Sequence, residues 1–204
     1  MQFVRGKDHN FKIMDKLIKR LKVSLVMLTI TVCASAQQVA IKTNLLYAAT
    51  TTPNIGIEVG LGKKSTAQLF YALNPRKFSD NEKLRHWSVN PEYRYWLCHR
   101  FNGSFVGIHA LGGEFNMGGV KLPLGIWPSL EDHRYEGWFA GGGVSYGYQW
   151  ILNKHFNLEA SLGLGYAYIN YKKFVCAECG ELLKDTDRHY FGPTKAALSV
   201  IYLF

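Results

Sequence analysis

Six side chains that can carry charge sit in stretches where large and small residues alternate: Glu58, Glu92, Arg94, His109, Glu159 and Lys195, with Lys42 a seventh. Each falls on the side of the alternation occupied by Gly, Ala, Ser, Asn and Gln, opposite the large apolar residues. Charges of both signs facing one narrow interior can do two things. They can line a path or pocket for an ion or small solute, or they can pair and plug the space. An eight-stranded sheet closed on itself leaves an interior just wide enough for side chains to fill, and a bare charge in it is costly. A salt-bridged polar network that fixes shape is therefore expected.

Other residues invite sharper chemistry. His86-x-Ser88 places a base and a hydroxyl two apart, on one face of a strand. A serine nucleophile needs a base within hydrogen-bond reach and a group that orients the base. The pair resembles the His-x-Ser of outer-membrane lipid A deacylases, whose further surroundings are absent, so a lipid-modifying enzyme ranks third among the readings. Cys176 and Cys179 form a Cys-x-x-Cys pair in a polar loop. Zinc takes four ligands, and a redox motif belongs beside a βαβ unit. Cys98 is expected at the opposite rim, so a local disulfide between Cys176 and Cys179 is the expectation. No catalytic residue, metal or cofactor is expected. Loop 116–136 carries Leu122, Pro123, Leu124, Ile126, Trp127 and Leu130. Such apolar residues in a long loop fit a partner surface or a lid over the sheet's mouth.

The elements that must position these residues follow from a period of two, the spacing that sends alternate side chains to opposite faces of a sheet. About eight strands are expected, the first over 39–48 and the last running to Phe204. Ile55, Ile57, Val59 and Leu61 oppose Gly56, Glu58 and Gly60; Leu69, Tyr71 and Leu73 oppose Gln68, Phe70 and Ala72. Later stretches repeat the pattern, and Pro91 predicts a local irregularity. Polar loops are expected over 74–85, 116–136 and 171–189. A water-facing sheet has little use for glycine, which weakens strands. A narrow membrane barrel turns its large residues to lipid and its small or polar ones inward. Tyr47, Trp87, Trp138, Tyr148, Trp150, Tyr168 and Tyr202 are expected to form aromatic girdles at the two interfaces. Short turns alternate with long loops, as in such barrels, and the loop at 50–53 breaks the rule. A secreted lipocalin-like barrel is the competing fold.

The ends of the chain bear on location. Lys16, Lys19, Arg20 and Lys22 precede a short apolar run over 23–32, then Ala34-Ser35-Ala36. These are the three parts of a secretory signal peptide, and the run is too short to span a bilayer. Cleavage is expected after Ala36, giving a signal peptide over 1–36 and one domain over 37–204; Met14 is an alternative start. Val32 before Cys33 argues against lipidation. Seven of the 24 basic and two of the 15 acidic residues lie in 1–36, so the net charge of the rest falls from +9 to +4. A nucleic-acid partner loses its main support. The terminal strand ending on Phe204 resembles the signal read by the outer-membrane insertion machinery.

The stretch from Ile41 to Tyr47, then Thr50-Thr51-Thr52-Pro53-Asn54 and Gly56-x-Glu58, resembles the opening of the family catalogued as domain of unknown function 3575. Pro91-Glu92-Tyr93-Arg94-Tyr95-Trp96, Gly103-x-Phe105-x-Gly107-x-His109 and Cys176-x-x-Cys179-Gly180 fit the same resemblance. It implies an outer-membrane-type barrel with no assigned activity, and its members keep company with genes for surface fimbriae. The combined expectation is all-β: a single antiparallel up-and-down transmembrane barrel of about eight strands in the outer membrane of a Gram-negative bacterium. Both mature termini are expected in the periplasm. Outer-membrane lipid, the insertion machinery and surface or fimbrial proteins are the expected partners. A structural, surface-interaction or assembly role is expected, with small-solute binding or transport through the lumen as the alternative.

Overall fold

The computed structural model describes residues 38–75, 77–79, 82–119, 130, 133–175 and 181–204. Among these lie β1 (Val39–Asn44), a one-turn helix α1 (Leu45–Ala49), β2 (Asn54–Gly60), β3 (Ser65–Asn74), β4 (Lys77–Ser79) and β5 (Glu82–Trp96). They are followed by β6 (Gly103–Gly118), β7 (Arg134–Ile151), β8 (Phe156–Phe174) and β9 (Leu182–Leu203). Each strand pairs antiparallel with its neighbours in up-and-down order. β9 returns to β1, and β3 pairs with β5, so eight strands close into one ring. The short β4 adds to the β3 side of β5.

The period of two decides what faces where. Leu69, Tyr95, Val144 and Leu162 point outward and are 55, 48, 62 and 67% exposed. Glu58, Arg94 and Glu159 point inward and are 0 to 1% exposed. A water-soluble sheet that closes on itself buries the first set and exposes the second; this ring does the reverse.

The interior is layered. Near the tight turns at one end, Trp96, Phe101, Phe105, Ala40 and Ile201 form an apolar cluster. Charged and polar side chains fill the middle. Near the other end Phe115, Leu130 and Tyr135 form a second cluster, with Phe139, Ile169 and Tyr171 against it. At the turn end Phe204 N–H donates to the Val39 carbonyl, which brings the two ends of the ring-forming segment together.

Several expected boundaries move. The first strand stops at Asn44, where an extension to residue 48 was expected, because the Asn44 side chain accepts the Leu46 N–H and caps α1. Tyr47 therefore sits on a helix and packs against the inward Phe70, with ring centroids 5.6 Å apart, and takes no part in an outer girdle. The loop expected over 171–189 contracts to 175–181, because β8 and β9 continue as a hairpin paired from Phe174–Leu182 downward. Polar side chains on both faces of that hairpin hide it from an alternation test. Likewise β6 reaches Gly118 and β7 begins at Arg134.

The Pro91 irregularity is confined to two rungs. The β5–β6 register continues unchanged from Val89–Gly112 to Glu92–His109. Proline has no N–H to give, and Asn90 Nδ2 donates to the Ala110 carbonyl instead, at 2.8 Å.

The strands differ in height. β8 pairs with β9 along almost all of β9, whereas β1 pairs with β9 only over five rungs, from Ala40–Leu203 to Asn44–Ser199. Residues 182–198 of β9 thus have β8 on one side and no strand on the other among the described residues. The lower part of this edge is capped by a side chain. Asn44 Nδ2 donates to the Ala196 carbonyl and Asn44 Oδ1 accepts from the Leu198 N–H, each at 3.1 Å.

The segment 1–36, Cys176, Cys179 and residues 120–129 of the long loop lie outside the described residues.

Candidate functional site

The ring brings together charges that are far apart in sequence. Arg94 on β5 stands at the centre. Its Nη1 and Nη2 donate to the two carboxylate oxygens of Glu159 on β8, at 2.8 and 3.0 Å. This is the forked pairing that suits a planar guanidinium. Nη1 also reaches Glu58 Oε2 on β2 at 3.0 Å, and Nε reaches Glu92 Oε2 at 2.9 Å. Lys42 on β1 bridges Glu58 and Glu159, and Lys195 on β9 pairs with Glu92. Three carboxylates and three cations therefore share one buried cluster, and their formal charges cancel.

Neutral donors complete the carboxylates' shells. Thr66 donates to Glu58, Ser145 to Glu92, and Gln68 Nε2 to Glu92 at 3.4 Å. Trp96 Nε1 donates to Thr66 Oγ1 at 3.0 Å, which joins the network to the apolar layer below it. The Arg94 guanidinium lies over the Phe105 ring, 4.3 Å from its centroid. The partners come from β1, β2, β3, β5, β7, β8 and β9. No single hairpin could assemble them.

Of the six residues expected in the interior network, Glu58, Glu92, Arg94, Glu159 and Lys195 are joined by ion pairs, with Lys42 as the expected seventh. His109 is buried beside them but hydrogen-bonds elsewhere, from Nε2 to Thr194 Oγ1 on β9 at 2.9 Å. Thr66, Gln68 and Ser145 were recognisable from parity as inward-facing. Their role as carboxylate partners was not, because pairing across a closed ring depends on register around all its strands.

Above the network the interior opens into a cavity of about 360 Å³. Its floor is charged, with Lys42, Glu159 and Lys195. Its walls include Phe70, Leu111 and Phe139, with Tyr47 of α1. A larger furrow, about 800 Å³, runs over the outside of the ring between Tyr93, Tyr95, Val106, Ile108, Val144 and Leu162. The furrow is lined almost wholly by outward apolar side chains and offers little to orient a ligand.

His86 and Ser88 share the inner face, as their spacing dictates. His86 Nδ1 has no hydrogen-bond partner among the described residues. Cys98 is free and exposed in the turn between β5 and β6. No group of three or more His, Cys, Asp or Glu among the described residues is placed to hold a metal ion.

A family model described as Protein of unknown function (DUF3575) matches residues 22–204, and the chain belongs to that family. No curated protein matches it.

Proposed function

With that membership as the premise, we propose that the chain is an exported β-barrel of a Gram-negative outer membrane, with a plugged lumen, acting as a structural, surface-interaction or assembly component. In this reading it works neither as an open pore nor as an enzyme. The observation that carries it is the reversed packing: Leu69, Tyr95, Val144 and Leu162 face out while Glu58, Arg94 and Glu159 are sealed inside. Large outward apolar side chains and a polar interior are what acyl chains around a narrow barrel select. A closed sheet also meets the demand that each backbone N–H and C=O be paired within the hydrocarbon.

The spacing of outward aromatics supports the same reading. Trp138 packs on Tyr168 near one end, and Tyr148 on Trp150 near the other. Trp138 and Tyr148 lie ten residues apart on β7. At about 3.4 Å per residue that is roughly 34 Å along the strand. With a strand tilt of about 40° the vertical span is about 26 Å, close to the apolar band of such barrels.

The turn end, with Cys98 and Phe204, would face the periplasm, and the end bearing α1 and the β8–β9 hairpin would face outward. The signal peptide over 1–36 and surface or fimbrial partners belong to this proposal. Cell fractionation with heat-modifiable gel migration tests it. The protein should co-fractionate with the outer membrane and shift on boiling; recovery as a soluble periplasmic species with no shift would overturn it. In planar bilayers the purified protein should give no steady high-conductance pore, since the charged cluster and both apolar layers block the axis.

The alternative, binding of a small solute in the lumen, is favoured by one observation, the cavity above the cluster.

A further inference from the structure

We propose that this cavity is a binding site for a small neutral amphiphile whose polar end carries a hydroxyl or amide donor. The inference rests on the barrel reading for the protein's setting and adds a ligand class to its interior.

Two buried acceptors define the polar end. Gln68 Oε1 and Asn90 Oδ1 have no hydrogen-bond partner among the described residues, and both residues line the cavity. Gln68 is only 5% exposed. The orientation of each amide is fixed by its nitrogen. Gln68 Nε2 is directed to Glu92 and Asn90 Nδ2 to the Ala110 carbonyl. Turning either amide over would set an oxygen against an oxygen. The free carbonyl oxygens therefore ask for a donor, and polar groups buried without partners are uncommon enough to demand an explanation.

The floor limits the ligand's charge. Lys42, Arg94 and Lys195 are already matched by Glu58, Glu92 and Glu159, so an added anion or cation would enter a dry site without a counter-charge. The walls set the other end: Phe70, Leu111, Phe139 and Tyr47 offer aromatic and aliphatic surface. The volume lies at the small end of the range for ligand pockets. A compact molecule with one donor head and an apolar or aromatic body fits these three conditions. On the side nearest α1 the wall is the part of β9 that no second strand covers among the described residues, so entry there requires no described strand pair to separate.

The test uses the 37–204 chain folded into phospholipid nanodiscs, with its alanine methyls labelled for NMR. The Ala197 methyl points inward and lines the cavity, while Ala110 and Ala140 face outward and report partitioning into lipid. 4-Propylphenol is the probe, and propylbenzene, of nearly the same shape without the donor, is the control. Saturable shifts at Ala197 are expected with the phenol, and about tenfold weaker binding of propylbenzene, the scale of one hydrogen bond to a buried acceptor. Gln68→Met should weaken the phenol by a similar factor and leave propylbenzene unchanged. Ala197→Phe, which fills the cavity from the inner face of β9, should abolish both. Equal affinities for the two probes, shifts that never saturate, or shifts at Ala110 and Ala140 alone would overturn the site. Heat-modifiable migration of each variant is measured alongside. Unsubstituted protein that shifts on boiling but shows no saturable binding of the phenol sinks the pocket and leaves the barrel reading standing. A chain that never inserts into the nanodisc defeats the barrel reading itself.

Discussion

Every guanidinium nitrogen of Arg94 meets a carboxylate, and those carboxylates come from three strands. Removing such a group leaves three acids facing one another with only two lysines to balance them. Breaking a buried ion cluster by deleting one partner costs about 3–5 kcal/mol. Arg94→Met is therefore expected to lose stability on that scale, read from urea unfolding of protein folded into vesicles. Arg94→Lys should recover only part of it, because an ammonium cannot make the fork to Glu159. Lys195→Met should cost less than Arg94→Met, since among the described residues Lys195 makes one ion pair, to Glu92, and its side chain keeps some exposure. If Arg94→Lys matched the parent protein, the fork would be incidental to the fold. The inward placement of all seven charged residues was legible from alternation alone. Their partners were not: nothing in the spacing of Glu58 and Glu159 says that both meet one guanidinium, because that depends on how many rungs each hairpin slides.

At the scale of elements, two devices end or bend the strands. One is the pair Asn44 and Asn54. Asn54 Oδ1 accepts from the Asn44 N–H and Asn54 Nδ2 donates to the Asn44 carbonyl, which closes the β1–β2 hairpin. The Asn44 side chain meanwhile caps α1 and covers the β9 edge. Asn44→Ala should cost about 1–3 kcal/mol for the buried groups it orphans. It should also raise amide exchange at Leu198, which hydrogen-exchange mass spectrometry would detect; unchanged exchange there would show that the cap is dispensable. The other device is the facing pair Gly143 and Gly165. A Cβ at Gly143 would lie 2.2 Å from the Leu164 carbonyl oxygen, and one at Gly165 equally close to that of Gly142. The strands approach closely enough there that any side chain forces the backbone apart, so Gly165→Val should prevent heat-modifiable folding. The sequence marked these strands as glycine-rich on the inner face. It did not reveal the upper part of β8 and β9, where Lys172 opposes Asp185 and neither face is apolar. Nor did it reveal α1, which is too short for a helical period and exists because of its cap.

For the whole molecule, the proposed orientation makes one residue diagnostic. Cys98 lies exposed at the turn end, which would be periplasmic. In a Cys176→Ser/Cys179→Ser variant, a membrane-impermeant maleimide should leave Cys98 unlabelled on intact cells and label it once the outer membrane is permeabilised. Labelling on intact cells would invert the topology. Two free thiols at Cys176 and Cys179 in protein taken from the cell surface would likewise defeat the expected disulfide.

The five-rung contact between β1 and β9 has a consequence for how the ring is made and unmade. All other joints between successive strands form between sequence neighbours and close locally, whereas this one ties the first strand to the last. With only five rungs it closes the longest stretch of chain, which makes it the costliest joint in chain entropy. Closure should therefore come late in assembly, and thermal breathing should begin there, so that the cylinder opens along a preset line and the rest of the wall stays a curved sheet.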